Sequence, residues 1–287
     1  MTLLFPLSLL LAADCAACHE REAAALSGSR HAQARRLPVF EHSFAEAKSR
    51  WCLSCHRPEG EGDGLTCLTC HAVAASPGAV WSAAASDAGQ GAHPVHVDRD
   101  VTRVCARCHE FAAPRPGTLS AVVSSKEPLQ ATVTEQRLAM PGASCVTCHE
   151  PHHARGGHEG ETLRQGVAVT ARDAGDGGVA FTVTVGRTGH RFPTGDPFRR
   201  LVVQTCRDPA CAQVVARRVF QRTFGLTDAG TWAAVSDSTL PSGGAAAFTL
   251  AAGAGWSARY FYGDSRFERL LPPEEVFFEV ASGSLAP

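Results

Sequence analysis

One pattern constrains this chain more than any other: Cys-x-x-Cys-His, repeated five times within the first 149 of 287 residues. The copies are Cys15-Ala-Ala-Cys18-His19, Cys52-Leu-Ser-Cys55-His56, Cys67-Leu-Thr-Cys70-His71, Cys105-Ala-Arg-Cys108-His109 and Cys145-Val-Thr-Cys148-His149. Together they take ten of the 12 cysteines and five of the 13 histidines. The frame is the attachment signature of c-type haem. Two thiols separated by two residues each form a thioether with one haem vinyl group, and the following His ligates the iron from beneath the ring. Zinc sites and disulfides also use C-x-x-C, but neither needs a His after every second Cys. Histidine fills 13 of 287 positions, so chance places one there about 5% of the time, and five times running about twice in ten million. The sequence therefore predicts five covalently attached haem c groups, with His19, His56, His71, His109 and His149 as proximal iron ligands.

Eight histidines remain: His31, His42, His93, His96, His152, His153, His158 and His190. Beyond Met1 the sole methionine is Met140, so at most one iron has a His/Met ligand set. Bis-His ligation, with its lower potential, is expected for the rest. His31 lies in Ser29-Arg30-His31-Ala32, on a segment whose helical periodicity runs from the first motif, and is a candidate sixth ligand. His93 and His96 stand just upstream of Cys105, and one of the two is expected to ligate. The run from Pro151 to His158 is expected to give at least one ligand, with His158 favoured. His42 has the weakest case. For each, the alternative is a surface or hydrogen-bonded imidazole. Only ten residues, Arg57 to Thr66, separate His56 from Cys67, and they include Pro58, Gly60, Gly62 and Gly64. A turn that short makes the second and third haems neighbours. Five haems on so short a stretch form a chain with close edges, a geometry suited to electron transfer.

Residues 1–13 carry no charged side chain and contain the apolar run LLFPLSLLLAA. The run is too short to span a bilayer, and Ala12 and Ala13 suit signal-peptidase cleavage, although a Lys or Arg usually opens such a segment. No later stretch approaches ~20 consecutive apolar residues, so no membrane anchor is expected. Covalent haem attachment takes place outside the cytoplasm, which agrees with an export signal and a periplasmic or extracellular, secreted protein. With 27 Lys+Arg against 28 Asp+Glu, the chain lacks the basic excess of a nucleic-acid-binding protein. The stretch bearing the motifs is rich in Ala, Gly and Ser, and haem discs can act as core where bulky side chains are few.

After about Glu161 the pattern changes. Alternating segments appear at Val167–Ala171, Val179–Val185, Leu201–Gln204 and Val276–Val280. Period-two alternation with β-branched and aromatic residues reads as half-buried strands. Asp173-Ala-Gly-Asp-Gly-Gly178 is a hairpin turn signal. Seven or so short strands suggest an antiparallel β-sandwich. Cys206 and Cys211 lack a following His, so they read as a local disulfide in an oxidising compartment. The loop Gly189-His190-Arg191-Phe192-Pro193-Thr194-Gly195 interrupts the alternation. It could present His190 to a haem or leave it exposed.

The N-terminal half resembles the multihaem c-type cytochromes related to the tetrahaem electron acceptor of hydroxylamine oxidoreductase. The residues that carry the likeness are Cys15–His19 followed by Ser29-Arg-His-Ala32, Gly64-Leu-Thr-Cys-Leu-Thr-Cys-His71, and Cys145–His149 with His158 beyond. The resemblance implies that His31 is a distal ligand. An aromatic residue usually stands shortly before that His, and Leu26 stands here instead. Some relatives carry a C-terminal β domain with a Gly-His-x-x-Pro-Thr-Gly loop similar to Gly189–Gly195.

The expected fold class is α+β: a signal peptide over 1–13, a mainly α or irregular pentahaem domain over 14–160, and an antiparallel β-sandwich over 161–287. The expected function is electron transfer through mostly bis-His haems, with redox proteins or other cytochromes as partners. Two alternatives remain. One is an oxidoreductase of a small nitrogen or sulfur oxyanion at a five-coordinate haem. Against it, no C-x-x-C-K frame occurs, and the only tyrosines, Tyr260 and Tyr262, fall in the β half. The other is a subunit of a homo-oligomer or extracellular filament, in which His from one copy ligates iron in the next.

Overall fold

A computed structural model describes residues 15–47, 49–72, 80–82, 95–97, 101–111, 130–150, 152, 158–226, 228 and 232–284. The segment 1–13, His93 and His153 lie outside the described residues. The architecture is mixed α+β, the class the sequence predicts. Two compact units emerge, and neither is continuous in sequence. One draws on Met1–Arg107 and Ser144–Arg155, the other on Cys108–Ala143 and Gly156–Pro287.

The first unit is built from short helices: α1 (Cys15–Cys18), α2 (Glu20–Ser27), α3 (Pro38–Ala47), α4 (Arg50–His56), α5 (Cys67–His71) and most of α6 (Thr102–His109). A parallel pair joins β1 (Val80–Ser82) to β2 (Val95–Val97). Local chemistry sets the bounds. Glu20 and Glu22 lie in the first turn of α2, where the helix dipole favours acid. Gly28 ends α2, so the helical periodicity does not carry through to His31, which sits in a run of turns. Pro38 opens α3, a position that needs no amide donor. Thr66 and Thr69 form a reciprocal capping box at the start of α5.

This unit has almost no peptide core. Helices α1, α2, α4 and α5 bury no side chain. Among its described residues the buried apolar side chains are Ala34, Phe40 and Val101. Backbone contacts hold it instead. In the turn after α2, Ser29 Oγ accepts from Ala32 N at 3.3 Å. Arg35 N donates to Asp63 O at 2.7 Å and Leu65 N to His31 O at 2.8 Å. Arg36 pairs with the Asp63 carboxylate at 2.6 Å.

The second unit opens with a short ladder of β3 (Glu110–Phe111) and β4 (Gln130–Ala131), then α7 (Thr132–Ala139) and α8 (Gly160–Gly166). Strands β5 (Val167–Gly175), β6 (Gly178–Val185), β7 (Arg200–Cys206), β8 (Val214–Phe220), β9 (Arg222–Leu226), β10 (Trp232–Asp237), β11 (Ala245–Ala251) and β12 (Gly255–Phe261) follow. A short helix α9 (Pro273–Val276) precedes β13 (Phe277–Ser284). The strands form antiparallel sheets of order β11-β6-β5 and β13-β12-β7-β8, with β9 and β10 paired apart. Central strands β7 and β12 are buried along nearly their whole length, whereas β6 alternates. Its Val179, Phe181, Val183 and Val185 are 2%, 1%, 0% and 1% exposed. These residues join Leu201, Val203, Phe220, Trp256, Ala258 and Tyr260 in one core shared by both sheets. Phe181 lies at its centre, edge-on to Trp256 at 5.6 Å.

The hairpin between β5 and β6 turns on Asp176 (φ 50°) and Gly177 (φ 72°). Two successive positive φ values define the type I′ turn that matches strand twist. The Cys206–Cys211 disulfide forms at the end of β7. Asp208 organises the loop between them, accepting from Ala212 N at 3.0 Å and Gln213 N at 2.9 Å.

Candidate functional site

Positions i, i+3 and i+4 of a helix share one face. A Cys-x-x-Cys-His frame on a helical turn therefore aims both thiols and the imidazole to the same side. Helices α4, α5 and α6 each contain a whole frame. In the first copy α1 covers both cysteines, and His19 N continues the turn by donating to Cys15 O at 2.8 Å. The fifth copy uses a 3-10 turn, Cys145–Thr147, but keeps the same closure, with His149 N donating to Cys145 O at 3.0 Å.

All ten motif cysteines are unbridged and at least partly exposed, while the two cysteines outside the motifs are bonded to each other. The fold also gathers the motifs. Cys67 hydrogen-bonds Cys15, linking the third frame to the first. Cys105 hydrogen-bonds Cys145, and Cys70 lies within electrostatic range of Cys105. Cys55 Sγ lies 4.0 Å from Arg107 O, and Arg107 Nη1 donates to Thr69 O at 3.3 Å. Burial pushes the Cys52, Cys67 and Cys70 thiols up. The hydrogen bond from Cys105 pulls Cys145 down to about 6 and pushes Cys105 up.

The motif histidines differ in their supports. His56 Nδ1 donates to Ala34 O at 3.0 Å, and Phe40 stacks on the ring at 3.9 Å. Burial lowers the pKa of His56. That favours the neutral imidazole, and the Nδ1–H bond would leave Nε2 as the nitrogen to ligate a metal. His109 is exposed at the end of α6, with its Nδ1 3.2 Å from the amide nitrogen of buried Gln130. The β3–β4 ladder places Gln130 there, pairing it with Phe111. Glu110 caps α7, accepting from Val133 N and Thr134 N, each at 3.1 Å. His19 is exposed at the N-cap of α2, and His149 is half-buried. The His71 and His152 rings lie 6.2 Å apart with planes 14° from parallel.

The candidate distal ligands are spread across the fold. His31 is half-buried in the turn that Asp63 and Leu65 hold, and burial lowers its pKa. His96 is exposed on β2, and His42 is exposed on α3. His158 stacks on Tyr262 at 3.9 Å, and its Nε2 lies 3.3 Å from Arg199 Nη2. Arg199 Nη1 also donates to Tyr260 OH at 3.2 Å. Because guanidinium only donates, that His158 nitrogen acts as acceptor. His190 Nδ1 donates to Arg191 O at 2.9 Å. Its loop is anchored by paired bonds between Phe192 and Leu240 and by Glu135, which accepts from Arg191 N at 3.2 Å and Thr194 Oγ1 at 2.9 Å.

These residues fit the group the motifs imply. The donor set is two reduced thiols and an imidazole on one face, five times over. Of the helices that carry the motifs only α6 buries a side chain, Thr102, so an apolar macrocycle bonded along them would supply the core that the peptide does not. Among the described residues no three His, Cys, Asp or Glu side chains converge as a zinc cage requires. Sequence reasoning missed Phe40, Gln130 and the approach of His152 to His71. Phe40 is an ordinary apolar position of α3, and nothing in the sequence around Gln130 separates it from a surface amide.

No protein-family model matches the chain, and no curated protein does. Among solved structures it is similar to a penta-heme cytochrome c552 from Thermochromatium tepidum, at 18% identity and a TM-score of 0.67. The match covers 93% of this chain and 96% of that one. The likeness is one of fold over nearly the whole length.

Proposed function

We propose that this chain is an exported pentahaem c-type cytochrome that carries electrons between redox proteins. The observation that carries the reading is that five Cys-x-x-Cys-His frames each occupy one helical turn, with every motif thiol unbridged. Haem iron, when bound, supplies one-electron redox chemistry. Each cysteine pair anchors and orients its group, and the His at i+4 ligates from the same face. Contacts linking the first, third, fourth and fifth frames, with the second beside the fourth, support short spacings suited to a relay. Likeness in fold to a penta-heme cytochrome adds support. No helix among the described residues is long and apolar enough to cross a membrane.

The test is intact mass after expression in a host that matures c-type cytochromes. Five added haems are expected, and fewer would overturn the reading. Paramagnetic resonance of the oxidised protein should be dominated by low-spin bis-His signals. A full-strength high-spin centre that binds nitrite or hydroxylamine would replace the carrier reading with an oxidoreductase of small nitrogen compounds.

A further inference from the structure

We propose that His152 is the second axial ligand of the iron held at the third motif, opposite His71. The inference rests on the pentahaem reading and deepens it by naming a ligand pair. The other His–aromatic pairs described above, Phe40–His56 and His158–Tyr262, meet face to face with centroids 3.9 Å apart. The His71 and His152 rings are closer to parallel, 14° between planes against 20° and 25°, yet 6.2 Å apart. That spacing matches two imidazoles sharing one metal ion. With metal–nitrogen bonds of about 2.0 Å, and each ring centre about 1 Å behind its nitrogen, trans ligands have centres roughly 6 Å apart.

The competing ligand in the same stretch is otherwise engaged. His158 Nε2 accepts from Arg199, and the ring is covered by Tyr262. His152 also stands three residues after His149, the proximal ligand of the fifth motif. One short peptide would then bind two irons, His149 at the fifth site and His152 at the third. The Cys105 contacts with Cys70 and Cys145 bring the third and fifth frames and the first cysteine of the fourth together in the same unit.

The experiment uses the holoprotein and three variants, each checked by intact mass for five haems. His152→Ala should convert one of the five centres from low-spin to high-spin, and added imidazole should restore it. His152→Met, which keeps a ligand in case alanine prevents loading, should raise the potential of one centre alone. His158→Ala should leave all five centres low-spin. A fully loaded His152→Ala protein with five low-spin irons would overturn the proposal, as would conversion of a centre by His158→Ala instead. Wild-type protein with fewer than five haems would count against the pentahaem reading itself, a separate outcome.

Discussion

Replacing Gly64 by alanine should dislodge the turn that carries His31. Gly64 is buried three residues before Cys67 of the third motif. A Cβ there would stand 2.3 Å from His31 O and 2.6 Å from both the carbonyl carbon and oxygen of Ala32. Comfortable contact needs about 3.5 Å, so the turn must retreat by about 1 Å. The obstacle is main chain, which has no rotamer to change. Retreat strains the Leu65 N to His31 O bond of 2.8 Å and the Arg35 N to Asp63 O bond of 2.7 Å. Overpacking costs about 1–3 kcal/mol and a weakened hydrogen bond about 1 kcal/mol, so a loss of about 2–4 kcal/mol is expected. The same turn supplies Ala34 O, which orients His56, so the damage should reach two irons. The assay is guanidinium denaturation followed by haem absorbance, together with the spin state of the native protein. Gly28→Ala is the control. Its φ is −80° and its nearest neighbours would be 3.8 and 3.9 Å away, so it should be neutral or stabilising by a few tenths of a kcal/mol. A Gly64→Ala protein with wild-type midpoint and spectrum would refute the reasoning.

Two further outcomes are expected. Gln130 should tune one potential by fixing His109. Ligation through Nε2 puts the proton on Nδ1, so the amide, whose nitrogen faces that atom in the structure, must turn to present its oxygen there. Gln130→Leu should raise one of five potentials and Gln130→Glu should lower it, and a redox titration in which no wave moves would remove the idea. The Cys206–Cys211 disulfide closes a loop of sequence separation 5, so replacing both cysteines by alanine should cost about 2 kcal/mol. Urea unfolding of the β unit by far-ultraviolet circular dichroism checks this, and an unchanged midpoint contradicts it.

The parts legible in the sequence are those where chemistry or geometry forces a local spacing. Thioether attachment needs two thiols and an imidazole within five residues, so the motifs could be read directly. Sheet alternation marked Val167–Ala171, Val179–Val185 and Leu201–Gln204, which became β5, β6 and β7. The Asp-Gly pair marked the turn at Asp176 and Gly177, because few other residues accept two positive φ values in succession. What lay hidden depends on contacts between distant residues. Gln130 reaches His109 across 21 positions, and His152 approaches His71 across 81. His31 shows the limit of periodicity. Its segment reads as helix, but Gly28 ends the helix and a carbonyl from that turn meets the approach to the third motif.

The chain passes between its two compact units at 107/108, 143/144 and 155/156. Neither unit therefore corresponds to one uninterrupted stretch of coding sequence. A single recombination crossover between residues 108 and 143 would divide both units at once, and no single cut would separate one unit cleanly from the other. During synthesis the first unit stays incomplete until residue 155 has emerged, by which time part of the second already exists. The two bodies are thus interleaved along the chain and made together rather than one after the other.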